Sequence, residues 1–540
     1  MQKQYISFKD TGYFSSLICD YISQNANLKP FYNRFPSIEN FEAQIEEKRN
    51  SIETSVEHRK LLVKVLQDQY KTVETSTFTH TNITLLTLEN TFTVTTGHQL
   101  NVFTGPLYFL YKIISTINLS KALKAQYPNY NFVPVYWMAT EDHDFEEINN
   151  FNFKGKKFQW NKDASGAVGK LPTNGLEDVL ELFSKDLGHS DSAKFLVELF
   201  KNAYVKHDNL ADATRFLANT LFQSYGLVII DADSAVLKRM FLPFMAKELT
   251  GQKAFKAVTE TNDALNKLSE AYTIQVNPRE INLFYLKDDV RERIVVFSDA
   301  KQNDVYQVLN TDIVWSKAQI LQELNERPER FSPNVIMRPL YQEVILPNLC
   351  YIGGGGEIAY WMQLKSFFNA LNVTFPVLLL RNSALLQTEK QQKKMERLHV
   401  SDNDVFLSRS TLINKKVREI SNIDIDFSPQ RQHLRNQFES LYDLAKQTDA
   451  SFIGAVKAQE TKQLKGLDKL EKRLLHAQKK KLSDEVFRIT EIQNDLFPNQ
   501  ELQERNTNFS EFYLEYGQQL IPNLVSALDP LRLEFVVLTM

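Results

Sequence analysis

At 540 residues the chain is long enough for two or three structural units. Apolar residues at 43% and aromatics at 11%, among them 37 Phe and 21 Tyr, supply a large core and exclude an intrinsically disordered chain. A formal charge of -3 excludes binding to nucleic acid or to an anionic membrane by bulk charge, and two cysteines exclude a disulfide framework or a Cys-rich metal site.

In chain order, Met1 is followed by polar residues rather than an apolar run, so no signal peptide is expected. No later stretch reaches the ~20 apolar residues that span a bilayer. With Cys19 and Cys350 read as reduced thiols, the expected location is cytoplasmic. Residues 1–75 read as helices, and 42–70 carry charged residues with recurring Ile and Leu but no Gly or Pro. Residues 92–96 alternate and are β-branched, which predicts a strand. A turn from Gly97 to Gly105 follows, and Pro106 stands at the first position of a helix running to about residue 125. Residues 132–139 are a second buried strand, so a strand, a helix and a strand form a βαβ unit with parallel pairing. Residues 227–231 and 375–380 add further strands, with a helix over 358–370 before the last. The alternation predicts an α/β fold with a doubly wound parallel sheet. Insertions interrupt it: an antiparallel excursion over 148–160, helices over 174–225, and short strands over 272–315, clearest at 294–297.

The C-terminal third changes character. Ser428-Pro429 predicts a helix start, with Ser as cap and Pro just inside. Ile453, Val456, Leu467, Leu470, Leu474 and Ala477 share a heptad frame that Glu460, Gln463 and Lys481 interrupt. An interrupted antiparallel coiled coil fits, and the apolar seam predicts a homodimer. Residues 533–538 read as a strand able to return to the main sheet. The expected units are 1–384 as the catalytic core, 385–500 as the helical coiled-coil unit, and 501–540 as a segment returning to the core.

Three segments could carry chemistry. The turn that holds Gly97, His98, Gln99, Asn101 and Gly105 joins a core strand to its helix, where backbone N–H groups can hold phosphate or carboxylate. It is neither a P-loop nor a GxGxxG motif, so an ordinary βα turn explains it equally well. Glu141-Asp142-His143-Asp144 crowds three carboxylates and an imidazole at the end of a buried strand. One carboxyl pKa should rise there unless a cation or substrate amine is near. His143 can serve as acid or base, and Asp142 with Asp144 could instead hold Mg²⁺; the bland alternative is a solvated acidic loop. Gly353-Gly354-Gly355-Gly356-Glu357 precedes a helix, and four glycines suit close approach of a ligand. Glu357 either complements the helix dipole or grips a substrate ammonium. Arg338, Gln342, Tyr360 and Arg381 are the accompanying polar candidates, the arginines suited to carboxylate or phosphate.

Two signals are read down. The stretch 462–481 holds eight Lys or Arg but almost no aromatics, so a solvated coiled-coil face explains it better than nucleic-acid binding. The nine histidines offer no HExxH pair, so no zinc hydrolase is expected.

Several blocks in order carry a family resemblance: TTGHQLNVFTGPLYFLYK from Thr95, VPVYWMATEDHDFEEIN from Val133, RPLYQEVILP from Arg338, YIGGGGEIAYWMQL from Tyr351, and Arg381-Asn382-Ser383. Through them the chain resembles the BshC family, the cysteine ligases of bacillithiol biosynthesis. The family usually carries Gln where His98 stands and Pro within the run where Gly354 or Gly355 stands. The resemblance implies a Rossmann-like core with inserted modules, a coiled coil that mediates dimerisation, and a reaction that joins L-cysteine to glucosaminyl malate. Whether ATP or ADP takes part stays open, and nothing in the sequence demands a metal. The competing readings are another adenylate-forming or nucleotidyl-transferring enzyme, which lacks a HIGH or KMSKS pair here, and a non-enzymatic scaffold, which has no need of the acidic block or the glycine run.

Overall fold

The computed structural model describes residues 1–540 except 52–54, 288–289 and 299–303. The parts of the predicted helical span 42–70 and of the predicted strand region 272–315 that fall on those positions lie outside the described residues.

Five strands form an all-parallel central sheet: β1 (Thr91–His98), β2 (Asn131–Met138), β3 (Val228–Asp231), β4 (Asn348–Gly353) and β5 (Val377–Leu380). Their order is β5-β4-β1-β2-β3, the doubly wound arrangement the alternation predicts. The chain runs outward from β1 to β3, then crosses to β4 on the other side of β1. The strands are buried on both faces, as parallel sheets require. In β5, Val377 and Leu379 meet one apolar cluster with Phe41 and Ile45, and Leu378 and Leu380 meet the larger one. β1 buries four threonines, three of which satisfy their hydroxyls across the β1–β4 seam: Thr93 and Thr95 on Asn348 Oδ1 at 3.1 and 2.8 Å, and Thr96 on the Ile352 carbonyl at 2.8 Å.

Helix α1 (Tyr108–Gln126) covers the sheet after β1. Pro106 lies two residues before it rather than at its first position, because the chain first makes a short 3-10 turn at Val102–Thr104. Phe103, Thr104 and Gly105 all take positive φ (50°, 68° and 59°), and Asn508 clamps the turn by donating to the Phe103 and Gly105 carbonyls at 2.8 and 2.6 Å.

The insertions follow the predicted order. A hairpin of Asn150–Phe153 and Lys156–Gln159 and the helices Leu176–Leu187, Asp191–Tyr204 and Leu210–Phe222 enclose an aromatic cluster of Phe103, Phe151, Phe158, Phe183 and Phe200. A second insertion forms a five-stranded antiparallel sheet in which Leu283–Lys287 and Val290–Ser298 pair centrally.

Four expectations are corrected. The N-terminal region is not all helix: Gln2–Ile6 is a strand. The strand at the other terminus, Phe535–Thr539, does not join the main sheet. It pairs antiparallel with Gln2–Ile6 and parallel with Ala384–Gln387 in a separate three-stranded sheet. The predicted helix 358–370 is two helices, α3 (Gly355–Met362) and Lys365–Leu371. Ser428 is the first helical residue rather than the cap, which is Phe427.

In the C-terminal third, α4 (Ser428–Ala445) and α5 (Ala450–Lys481) form an antiparallel hairpin. Arg431 pairs with Asp468 at 2.8 Å and with Glu471, and the Tyr442 hydroxyl donates to Glu460 at 2.8 Å. Of the predicted heptad frame, only Val456 is buried, against Phe438 and Ala445. Ile453 and Leu470 are 39% and 52% exposed although both lie on the stretch of α5 that α4 accompanies, so the frame does not pack against α4 as a continuous seam. Among the described residues no helix is long and apolar enough to cross a membrane.

The turn before α1 yields a stability test. Gly105 combines φ 59° with ψ -131°, a conformation open essentially to glycine alone, and an added Cβ would meet Asn101 Cβ at 2.7 Å. Gly105→Ala is expected to cost about 1–3 kcal/mol. Urea denaturation should show a lower midpoint at unchanged slope; an unshifted midpoint would mean the turn relaxes freely.

Candidate functional site

The strand order reverses between β1 and β4, and ligands of open α/β sheets bind outside the carboxyl ends of strands at such a point. A cavity of about 470 Å³ opens there. β1 ends on Gly97 and His98, β4 leads into Gly354–Gly356, and β2 leads into Thr140–Asp142, so three strand ends converge on one space.

An ion pair spans its floor. Lys112, buried in α1, reaches Glu357 Oε2 at 2.6 Å and donates to the Gly97 carbonyl at 2.8 Å. Glu357 also accepts from the Tyr351 hydroxyl at 2.6 Å and the Gly354 N–H at 2.9 Å. Burial alone would raise the Glu357 pKa, but Lys112, Tyr351 and Gly354 outweigh it and hold the carboxyl below its ordinary range. Glu357 therefore spends its acceptor capacity inside the protein, and a substrate ammonium would have to share it.

Four guanidinium groups line the walls. Arg338, on α2 (Met337–Ile345), donates to Gln342 Oε1 at 3.0 Å and to the Tyr360 hydroxyl at 3.3 Å, and lies over Tyr351 and Trp361. No carboxylate lies within ion-pair distance of it among the described residues. Arg381, at the end of β5, is paired with buried Glu504 at 2.8 Å, but its Nε is buried without an acceptor among the described residues. Arg291, from the inserted antiparallel sheet, stacks on Phe284 and leaves a buried Nε likewise unmatched among the described residues. Arg505 reaches the same cavity from the segment after the coiled coil.

Gln342 faces away from the cavity and relays Arg338 to a buried carboxyl: its Nε2 donates to Glu343 Oε1 at 2.9 Å, as does Asn348 at 2.7 Å. Lys48 stands 4.0 Å from Glu343 Oε2. Burial pushes the Glu343 carboxyl up to about 7, against the opposing pull of Lys48, Asn348 and Gln342.

The acidic block divides. Glu141 pairs with fully buried Lys238 at 2.5 Å, and Lys238 also binds Asp233 at 3.1 Å. Burial raises Glu141 even so, with Lys238 and Arg291 restraining the shift. These two cations answer the crowding evident in the sequence. Asp142 lines the cavity, with Oδ2 2.9 Å from Gln99 Nε2 and Oδ1 accepting the His143 N–H at 2.8 Å. His143, expected in the pocket, is half exposed and lies outside the cavity lining, its ring 2.7 Å from an Arg291 nitrogen. Asp144 is exposed, caps nothing with its side chain, and is not part of the cavity wall.

The glycine-bearing turns differ in their reasons. None of Gly97 or Gly353–Gly356 has positive φ. Space is the constraint: a Cβ on Gly353 would meet Glu357 and Tyr351 at 2.9 Å, and one on Gly97 would point at the Tyr351 hydroxyl at 3.4 Å and Arg338 at 3.7 Å. Gly354, Gly355, Gly356 and Tyr360 line the cavity, whereas Gly353 lies under it. His98 also lines it; burial, reinforced by Lys112 and Arg381, holds its pKa well below the ordinary value, so the ring is neutral. Asn101 and Gly105 lie outside this cavity, Asn101 on a smaller neighbouring one that Gln99 shares.

Sequence reasoning missed Lys112, Tyr108, Tyr351, Arg291 and Arg505. A lysine inside the apolar run Tyr108–Gln126 was a readable signal; an arginine in a polar insertion or at a helix of four residues carries none.

Two family descriptions match the chain: "Bacillithiol biosynthesis BshC, N-terminal Rossmann-like domain" over residues 1–382 and "Bacillithiol biosynthesis BshC, C-terminal coiled-coil domain" over residues 384–540. The chain is similar over its length to proteins named "Putative cysteine ligase BshC". It is 60% identical to that of Flavobacterium johnsoniae across 99% of both chains. It is 60% identical to that of Christiangramia forsetii across 99% of this chain and 98% of the relative, and 38% identical to that of Cytophaga hutchinsonii across 97% and 96%.

The buried carboxyl behind Arg338 sets a pH dependence. Between the ordinary glutamate value of 4.5 and about 7 the folded state holds the Glu343 proton and the unfolded state does not, so this group makes stability fall as pH rises. The fall is on the order of 3 kcal/mol. Glu343→Gln keeps the acceptor for Gln342 and Asn348 and removes the titration. Unfolding free energies from pH 5 to 8 should decline less for the variant than for the native chain, and identical slopes would contradict the buried assignment.

Proposed function

This chain belongs to the BshC family of bacillithiol biosynthesis, and on that premise we propose that it joins the carboxyl group of L-cysteine to the amine of glucosaminyl malate, the last step of that pathway. The observation that carries the chemistry is the Arg338 guanidinium, set in the cavity wall with no carboxylate within ion-pair distance among the described residues. Burial opposes its charge, but Tyr360, Tyr351 and Glu357 more than offset burial, so the guanidinium stays ionised and offers its remaining N–H groups to an anionic substrate group. The unmatched Nε atoms of Arg291 and Arg381 add donors on the same space.

Amide formation from a free carboxylate and an ammonium is unfavourable in water, so the carboxyl must be activated and its oxygen must depart with the activating group. The Gly354–Gly356 backbone at the start of α3, together with Arg338, suits the phosphates of a nucleotide such as ATP as well as a substrate carboxylate. The attacking amine must lose a proton, and Asp142 is the carboxylate on the wall best placed to take it, oriented by Gln99 and the His143 N–H. Burial raises the thiols of Cys19 and, far more strongly, Cys350, so the reactive thiol of the product comes from the substrate.

The test is reconstitution: the purified chain with L-cysteine, glucosaminyl malate and ATP should yield bacillithiol by mass spectrometry. No product under any nucleotide and metal condition would sink the reaction; product without nucleotide would keep it and discard the activation. Arg338→Lys, which loses the fork to Gln342 and Tyr360, should lower kcat/KM on the order of 100-fold. A variant with native kcat/KM would remove Arg338 from the site.

We further propose that the helical hairpin mediates a homodimer. Leu441, Leu444, Phe452, Ile453 and Leu470 are exposed on α4 and α5, an apolar surface that the hairpin leaves uncovered. Sedimentation of the native chain should give twice the monomer mass, and Leu444→Asp with Ile453→Asp should give a folded monomer. An unchanged dimer would place the contact elsewhere.

A further inference from the structure

Beside the main cavity lies a second one of about 290 Å³, and the two share Gln99, Tyr108 and Arg505. Their walls differ in kind. The first is lined by charges of both signs, with cations in excess of the carboxylates Glu141, Asp142 and Glu357. The second is lined by neutral amides: Asn101, Asn150, Asn152 and Asn506, with Glu147 beside them. Asn150 and Asn152 sit two residues apart on one strand, so the pleat sends both to the same side. The Tyr108 and Phe151 rings supply apolar surface.

One atom points to a ligand. Asn101 is 7% exposed, its Nδ2 donates to the Glu147 carbonyl at 3.1 Å, and its Oδ1 is buried without a donor among the described residues. Leaving a buried acceptor unmatched is costly, a cost removed when a ligand donates to it. Neutral amides donate and accept at once, which matches hydroxyl groups, themselves both donor and acceptor. A purely anionic ligand would find a single cation here, Arg505, at the junction.

We propose that this second cavity is the acceptor subsite and binds a polyhydroxylated sugar ring. Asn101, Asn150 and Asn152 hold its hydroxyls, the amine points past Gln99 into the main cavity, and Arg505 pairs with the acceptor's carboxylate. This rests on the acyl transfer proposed above for the main cavity.

The experiment separates the two. Binding of methyl glucosaminide, a sugar without carboxylates, is measured by calorimetry on the full-length chain, and KM is measured for glucosaminyl malate and for cysteine. Asn150→Leu should abolish methyl glucosaminide binding and raise the acceptor KM about 10-fold while leaving the cysteine KM unchanged. Arg505→Ala, at an exposed residue with no side-chain partner, should raise the acceptor KM and leave methyl glucosaminide binding intact. Asn101→Ser serves as a second probe of the amide wall should Asn150→Leu fold poorly. Product formation with unchanged acceptor KM in the amide variants overturns the subsite and keeps the reaction. Methyl glucosaminide binding that Asn150→Leu abolishes, in a chain that makes no bacillithiol, keeps the subsite and overturns the reaction. Equal rises in both KM values, or no sugar binding to the native chain at millimolar concentration, overturn the subsite.

Discussion

The buried ion pair between Lys112 and Glu357 is the constraint around which the site is organised. Lys112 comes from the helix after β1 and Glu357 from the helix after β4, so a 2.6 Å contact ties together the two elements that flank the strand-order reversal. Removing Glu357 would strand the buried Lys112 ammonium, which is far more costly than replacing both partners. The pair also explains its surroundings: Gly353 is small because Glu357 and Tyr351 fill the space beside it, and Gly97 offers its carbonyl to Lys112. Neutral His98 fits next to this cation, because a protonated ring there would face both Lys112 and Arg381.

Around that pair, charges fall into those compensated within the chain and those that are not. Arg381 has Glu504, and Lys238 has Glu141 and Asp233. Among the described residues Arg338 hydrogen-bonds only to the neutral Gln342 and Tyr360, with Glu357 nearby but beyond ion-pair distance. The contrast gives the cavity a direction: structural pairs hold the wall, and the uncompensated guanidinium faces the space where an anion can sit. Amides outnumber charges in the adjoining cavity, so one continuous cleft offers two chemistries.

The segments far apart in sequence are bound into this site. Glu504 follows the helical hairpin and yet accepts from Arg381, Ser383 and the Ala384 N–H, and Asn508 clamps the turn before α1. The final strand closes a small sheet with the first one. The hairpin is thus framed by chain that belongs to the core, so its two ends are fixed while its tip projects apolar residues outward.

The sequence by itself determined the local and periodic features: the buried strands, the βαβ order, the helical hairpin, and the three candidate segments of which Gly97–Gln99, Glu141–Asp142 and Gly354–Glu357 share one cavity. These are legible because side-chain alternation, β-branching and turn chemistry act over a few residues. Its motifs also carried the family. Only the tertiary structure decided which charges are paired. It gave Glu141 the distant Lys238, turned Asp144 outward, assigned Glu357 to Lys112, and brought Arg291 and Arg505 in from an insertion and a four-residue helix. It also sent the last strand to Gln2–Ile6 instead of the main sheet. Ion pairing and strand pairing depend on distances across hundreds of residues, and no local pattern encodes which of many equivalent partners will be near.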